Sequence, residues 1–97
     1  MRHEIVLAPQ AVRDLKLLKA HVRSTVRDAI ELYLRHEPTR TSKSRIKRLR
    51  GTSRPQFRLR VEEVRVFYDV SDKTVEVLAV VPKSGAGAWL AKAEEKA

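Results

Sequence analysis

The side chains best placed to do chemistry lie in one ribbon, Arg40 to Arg65. There Arg40, Lys43, Arg45, Lys47, Arg48, Arg50, Arg54, Arg58, Arg60 and Arg65 set ten cations against Glu62 and Glu63. Ten minus two is +8, nearly all of the chain's formal +9. A guanidinium is a planar fork that holds two phosphate oxygens at once and stays charged at neutral pH. Each phosphate neutralised by such a ribbon releases condensed counterions, so the leading partner is a polyanion, and first of all nucleic acid. Other chemistries are absent. There is no cysteine, hence no disulfide or thiolate metal site. His3, His21 and His36 are scattered without ligand spacing or an acid/base partner. No phosphate-cradling glycine loop, catalytic carboxylate pair or nucleophile elbow occurs. No metal and no cofactor is expected, and any catalysis must rest on basic residues alone.

The elements that would position this ribbon can be read from periodicity. At 97 residues and 42% apolar content the chain suits one domain, residues 1–97, with a single core. Ile5, Val6 and Leu7 before Pro9 predict a short strand followed by a helix with proline in its first turn. Val12, Leu15 and Leu18, then Val22, Val26, Ala29, Ile30 and Tyr33, recur at three- and four-residue spacing. That pattern predicts two amphipathic helices with a break near Lys19 to Val22, the second closed by Pro38. Thr39 to Arg54 reads as a loop with a short ordered core at Ile46 and Leu49. Phe57, Leu59 and Val61 alternate with Arg58 and Arg60, so an extended chain turns the arginines away from the core. Val64 to Val70 and Thr74 to Val81, joined by Ser71-Asp72-Lys73, predict an antiparallel hairpin with Tyr68 facing inward. Ala86 to Lys96 predicts a short helix entered after Gly85 and Gly87. The first residues are too few and too polar for a signal peptide, and no apolar run approaches the roughly 18 residues needed to span a bilayer. The expected location is the cytoplasm, with no membrane partner.

Three blocks in this order, Ile46-Lys47-Arg48-Leu49-Arg50-Gly51, Phe57-Arg58-Leu59-Arg60-Val61 and Val64-Arg65-Val66-Phe67-Tyr68-Asp69-Val70, resemble the RelE/ParE superfamily of bacterial toxins. The resemblance spans nearly the whole chain. It implies an α+β, RelE-like fold: a small twisted antiparallel sheet, two N-terminal helices on one face and a short C-terminal helix. It also implies the toxin of a type II toxin–antitoxin pair, held in a hetero-oligomer by a cognate antitoxin laid over its basic surface. RelE-like members cut mRNA in the ribosomal A site, whereas ParE-like members poison DNA gyrase. Closely packed sheet arginines favour the nuclease, and the non-catalytic gyrase inhibitor is the alternative. A degenerate toxin that binds only antitoxin and operator DNA is a third reading.

By motif position the resemblance implies catalytic roles for Arg58, Arg65 and Lys83, and RNA contacts for Lys43, Arg45, Lys47, Arg48, Arg60 and Trp89. Trp89 lies at about the spacing of the family's C-terminal tyrosine, which is missing here. Cleavage of this kind has the 2′-hydroxyl attack the adjacent phosphorus in line, so the site must position the backbone, stabilise added negative charge and move protons. Arg58 and Arg65 suit the first two tasks. A lysine crowded by like charges gives up its proton more readily, which suits Lys83 to the third. Trp89 could stack on a base. Each assignment has a plain structural counterpart: solvated strand arginines, Arg65 pairing Asp69 or Glu62, an inert loop lysine, a core tryptophan. The nuclease reading requires the sheet guanidinium groups and Lys83 to converge on one concave pocket.

Overall fold

The computed structural model describes residues 2–51 and 53–96, with side chains through residue 94. The elements run β1 (Glu4–Leu7), α1 (Pro9–Leu17), α2 (Ala20–Leu34), β2 (Ile46–Arg48), β3 (Phe57–Val61), β4 (Val64–Ser71), β5 (Thr74–Pro82) and α3 (Lys83–Lys96). Five strands form an open sheet in the order β1-β5-β4-β3-β2. Strands β2 to β5 pair antiparallel, as expected, but β1 lies parallel to β5, so the sheet is mixed. The parallel partner is some 70 residues away in sequence, beyond the reach of any hairpin signal.

α1 starts at Pro9, where the missing N–H costs nothing because the first helical amides have no partner in the helix. It ends at Leu17, and Leu18 and Lys19 take extended geometry before α2. The corner, Leu18 and Lys19, therefore falls at the start of the expected stretch Lys19 to Val22. Arg23 holds it: Nε donates to the Leu15 carbonyl at 2.9 Å, which also accepts the Leu18 amide, and one terminal nitrogen donates to the carbonyl of Leu18 at 2.8 Å. The stripe of α1 that meets the sheet is Ala11, Leu15 and Leu18, whereas Val12, expected inside, lies on the rim at 36% exposure.

The helices cover one sheet face. Ile46, Phe57, Leu59, Val61, Val64, Val66, Tyr68, Val75, Val77 and Val80 point there and form one core with Ala11, Leu15, Val26, Ala29, Ile30 and Leu34. Tyr68 is inward, as expected, with its ring 5.5 Å from that of Phe57 and its hydroxyl donating to the Pro38 carbonyl at 2.6 Å. Burial raises the pKa of that hydroxyl well above the ordinary tyrosine value. The bond also ties the end of the helical layer to the sheet centre.

Two-residue loops close the β3–β4 and β4–β5 hairpins, with Glu62 and Asp72 in left-handed geometry at φ 52° and 50°. β2 occupies part of the stretch expected to be loop. Three residues inside a basic run carry too little alternation to be seen as a strand. α3 begins at Lys83, directly after β5, and runs through Gly85 and Gly87 instead of starting after them. No helix among the described residues is long and apolar enough to cross a membrane.

Candidate polyanion-binding face

On the face turned away from α1 and α2, strand register alone brings the arginines together. Arg60 and Arg65 are direct cross-strand partners, which sets their Cα atoms about 4.5–5.5 Å apart. Arg58 pairs with Phe67 on one side and Lys47 on the other, and sits diagonally from Arg65 at about 7–8 Å. Arg58, Arg60, Arg65 and Lys47 thus share one surface, the outcome of strict alternation in β3 and β4.

Their environments differ. Arg58 is half-buried, and its Nε is the buried side-chain nitrogen or oxygen that finds no hydrogen-bond partner among the described residues. Its pKa lies below the ordinary arginine value, first because burial disfavours the charged form and then because Arg65 and Arg60 press like charge on it. Arg65 is only 6% exposed and committed: one terminal nitrogen donates to the Glu62 carbonyl at 2.8 Å and to that of Val64 at 3.1 Å. It holds the β3–β4 turn through backbone carbonyls, not through the carboxylates of Asp69 or Glu62. Arg60 is exposed.

Lys83 opens α3, its amide donating to the Glu63 carbonyl at 2.7 Å, so its backbone lies beside the turn that Arg65 braces. Its side chain is exposed. None of the five best-formed cavities over the described residues is lined by Arg58, Arg65 or Lys83. The arginines share a face, and the backbone of Lys83 stands at its end.

Trp89 is stacked on Phe67, ring centres 4.8 Å apart and planes 11° from parallel, next to Arg58 across the strands. Its indole N–H donates to Gln10 Oε1 at 3.2 Å, Gln10 Nε2 reaches Asp14 Oδ2 at 3.4 Å, and that same oxygen accepts the Val80 amide at 2.9 Å. β1 pairing stops at Leu7 opposite Val77, so Asp14 satisfies an edge amide that no strand covers. The relay pins α3 over part of the outer face and buries Phe67 completely. Gln10 and Asp14 were not visible as site residues in the sequence, because their partners lie 79 and 66 residues away. Beside them, Arg54 joins Asp69 at 2.9 Å and Glu76 at 2.7 Å, so the ribbon's cation nearest the β4–β5 hairpin is neutralised within the protein.

The remaining predicted contacts gather at the β2 edge. Arg45 lies over the Tyr33 ring at 5.3 Å and donates to the Arg60 carbonyl at 3.2 Å, and Arg48 lies over the Phe57 ring at 5.1 Å. Lys43 and Lys47 are exposed. No group of His, Asp or Glu able to hold a metal ion occurs among the described residues. The arrangement can bind and orient phosphates, and it presents two exposed lysines, Lys47 beside Arg58 and Lys83 at the end of the face.

Residues 5–86 match the family described as the ParE toxin of type II toxin-antitoxin system, parDE. The fold is similar to that of the toxin–antitoxin complex RelBE2 from Mycobacterium tuberculosis, with TM-score 0.71 and 26% identity over 84% of this chain and 99% of that one. The archaeal RelE–RelB complex from Pyrococcus horikoshii gives TM-score 0.64 and 27% identity over 86% and 97%. A mutant of the Escherichia coli toxin RelE in the free state gives TM-score 0.71 over 99% and 97%, where 20% identity speaks for the fold alone. No curated protein matches the sequence significantly. With its α+β architecture and a family match over most of its length, the chain belongs to the ParE toxin family, within the RelE/ParE superfamily of type II toxin–antitoxin toxins.

Proposed function

We propose that this toxin is a ribosome-dependent mRNA endoribonuclease that inhibits translation in the cytoplasm and is neutralised by a cognate antitoxin covering its basic face. The observation that carries the reading is Arg58: a half-buried guanidinium with an unused donor, beside the Arg60–Arg65 pair on the outer sheet face. A protein keeps an unsatisfied buried donor at a cost, and an arriving phosphate oxygen removes that cost while relieving the like-charge pressure. Arg58 is the clamp for the scissile phosphate, Arg60 its exposed neighbour, and Lys83 the proton carrier at the end of the face. Arg65 acts on this site by fixing the turn that Lys83 abuts. Trp89 supports the site from beneath through Phe67. The solved relatives RelBE2 and RelE–RelB are toxin–antitoxin complexes, which supports the antitoxin as partner.

Single-turnover cleavage on programmed ribosomes tests this. Arg58→Ala and Lys83→Ala should each slow cleavage by at least about 100-fold, the scale of one positioned electrostatic or proton-transfer group. Near-wild-type rates for both would remove the assignment. The second reading, a non-catalytic gyrase inhibitor, is favoured by the engagement of Arg65 with turn carbonyls, which takes one expected phosphate clamp away from substrate. It predicts intact mRNA ends together with altered plasmid supercoiling on expression, and the nuclease reading predicts the reverse.

A further inference from the structure

The open sheet has two edges, and they differ. At the β2 edge the chain folds back on itself: the Ser42 amide donates to the Ile46 carbonyl at 2.9 Å, and the Ser42 hydroxyl accepts the Arg45 amide at 3.0 Å. Exposed Lys47 and Arg48 guard the rest of that edge by charge. β1 has neither device along Ile5, Val6 and Leu7. The Glu4 amide donates to the Lys73 carbonyl at 2.7 Å and the Ala8 amide to that of Val77 at 2.8 Å. The alternation of a parallel ladder therefore turns the amides and carbonyls of Ile5 and Leu7 off the sheet. Beside them lies a groove of about 310 Å³ whose apolar wall is Ile5, Leu7, Leu15 and Ile30. Val6, on the opposite face of the strand, is 40% exposed.

We propose that the β1 edge takes an extended segment of a partner protein as a sixth strand, antiparallel to β1 and apolar at every second position. Two N–H and two C=O groups at strand spacing are the complement of a peptide backbone. Residues placed opposite Ile5 and Leu7 make four hydrogen bonds with them, and their side chains fall on the same sheet face, over the groove. The residue between them, opposite Val6, points to the outer face and is free to be polar. A polyanion has no footing here. The charged residues of the groove are Arg27, Asp28, Glu31 and Arg35, two of each sign, in a chain of net +9. A second copy of the chain is excluded by the ends of the window. The His3 amide donates to the Arg35 carbonyl at 2.6 Å and the Arg35 guanidinium to the His3 carbonyl at 3.0 Å, so the end of α2 fills the place beside His3. Two β1 strands paired about Val6 would bring Pro9 of each copy into that place on the other. The window admits a free segment and not a folded edge. The inference is independent of what the basic face binds.

The test is an amide NMR titration of the full chain with an uncharged pentapeptide, blocked at both ends, in which two valines alternate with threonines. The amides of Ile5 and Leu7 should shift and saturate together, with the same affinity at about 50 and 200 mM salt because the peptide brings no charge. N-methylation of both valines removes the donors that face β1 and should weaken binding roughly 5- to 150-fold, the scale of two hydrogen bonds. N-methylation of the central threonine, whose amide points away, should leave the affinity unchanged. These substitutions sit on the peptide, so the fold of the protein is untouched. Equal affinities for the two methylated peptides overturn the proposal, and so does the lack of any shift at Ile5 and Leu7 up to the solubility limit of the peptide. Sedimentation showing a dimer whose formation shifts the same two amides without peptide would also overturn it, by giving the edge to a second copy. None of these outcomes bears on mRNA cleavage, which is read separately.

Discussion

Replacing Arg58 by methionine should make this protein more stable and inactive at once. Methionine keeps an unbranched stem of similar reach, so packing against the sheet is retained while the guanidinium goes. Three quantities decide the sign. The buried, unpartnered Nε carries a desolvation penalty of about 1–3 kcal/mol, which disappears. Repulsion from Arg65, at roughly 7 Å and in the high dielectric of a surface, adds about 0.6 kcal/mol, with a similar amount from Arg60. Because Arg58 is only half-buried, solvent screens these terms, and the net expectation is the lower half of the range, about 1–2 kcal/mol. For a domain of this size that is a rise in Tm of roughly 4–16 °C. Urea denaturation at two ionic strengths separates the contributions. Salt should shrink the Coulombic part of the difference and leave the desolvation part, so most of the gain must survive at 1 M salt, where the Debye length is about 3 Å. The same variant should fail to cut mRNA. A methionine variant less stable than wild type would mean that Nε is satisfied in solution, and a stabilised variant that still cleaves would show that Arg58 does not hold the phosphate. Either result refutes the reasoning behind the proposed site.

Three further perturbations probe the supports of the face. Trp89→Ala removes the stack on Phe67 and the bond to Gln10; it should cost about 2–3 kcal/mol and speed amide exchange throughout α3, while unchanged exchange would show that the relay does not pin the helix. Tyr68→Phe leaves the Pro38 carbonyl without its donor and should cost about 1–2 kcal/mol at neutral pH. Because the folded pKa of Tyr68 lies above the unfolded value of about 10, its contribution is complete below that pH and fades as pH rises through the folded value; wild type should lose stability at alkaline pH faster than the phenylalanine variant, and parallel curves would contradict the burial argument. Arg65→Ala frees the Glu62 and Val64 carbonyls and should cost about 1–3 kcal/mol, with faster exchange at residues 62–64; full stability would mean the turn holds without its brace.

The sequence carried the two faces of the sheet but not what happens on them. In β3 and β4, alternation of Phe57, Leu59 and Val61 with Arg58 and Arg60, and of Val66 and Tyr68 with Arg65, is enough to put the arginines on one surface, since a one-residue slip would bury them. The hairpin at Asp72 was visible because turn residues separate two β-branched runs. β2 was not, because strand pairing at Ile46, Lys47 and Arg48 depends on β3 and not on local propensity. The start of α3 was displaced by Gly85 and Gly87: each weakens a helix by roughly 1 kcal/mol relative to alanine. The docking of Trp89 on Phe67 offsets that preference, and this long-range contact leaves no mark in the local pattern. Val12 was misplaced because a helix as short as nine residues tolerates two registers of apolar stripe, and only the packed sheet selects Ala11.

The same distinction governs the site. Which residues are basic is local information; which of them are free to meet a ligand is not. Arg54 and Arg58 lie four residues apart in the ribbon, yet Arg54 ends in two ion pairs while Arg58 Nε has no partner among the described residues. The difference arises because the β4–β5 hairpin presents Asp69 and Glu76 opposite one end of the sheet, whereas the other end presents Arg60 and Arg65. Charge is therefore sorted by topology: neutralised near the hairpin tip and accumulated from Arg65 across to the β2 edge. Such sorting weakens the isolated fold through self-repulsion, and it raises the rate of encounter with a polyanion. A partner that neutralises this end of the sheet and binds the folded state alone stabilises it by RT ln(1 + L/Kd), where L is the free partner concentration. The unsatisfied donor of Arg58 and the cations gathered at the β2 edge, which meet no carboxylate among the described residues, follow from one arrangement, in which part of the fold's electrostatic balance is left for the ligand to supply.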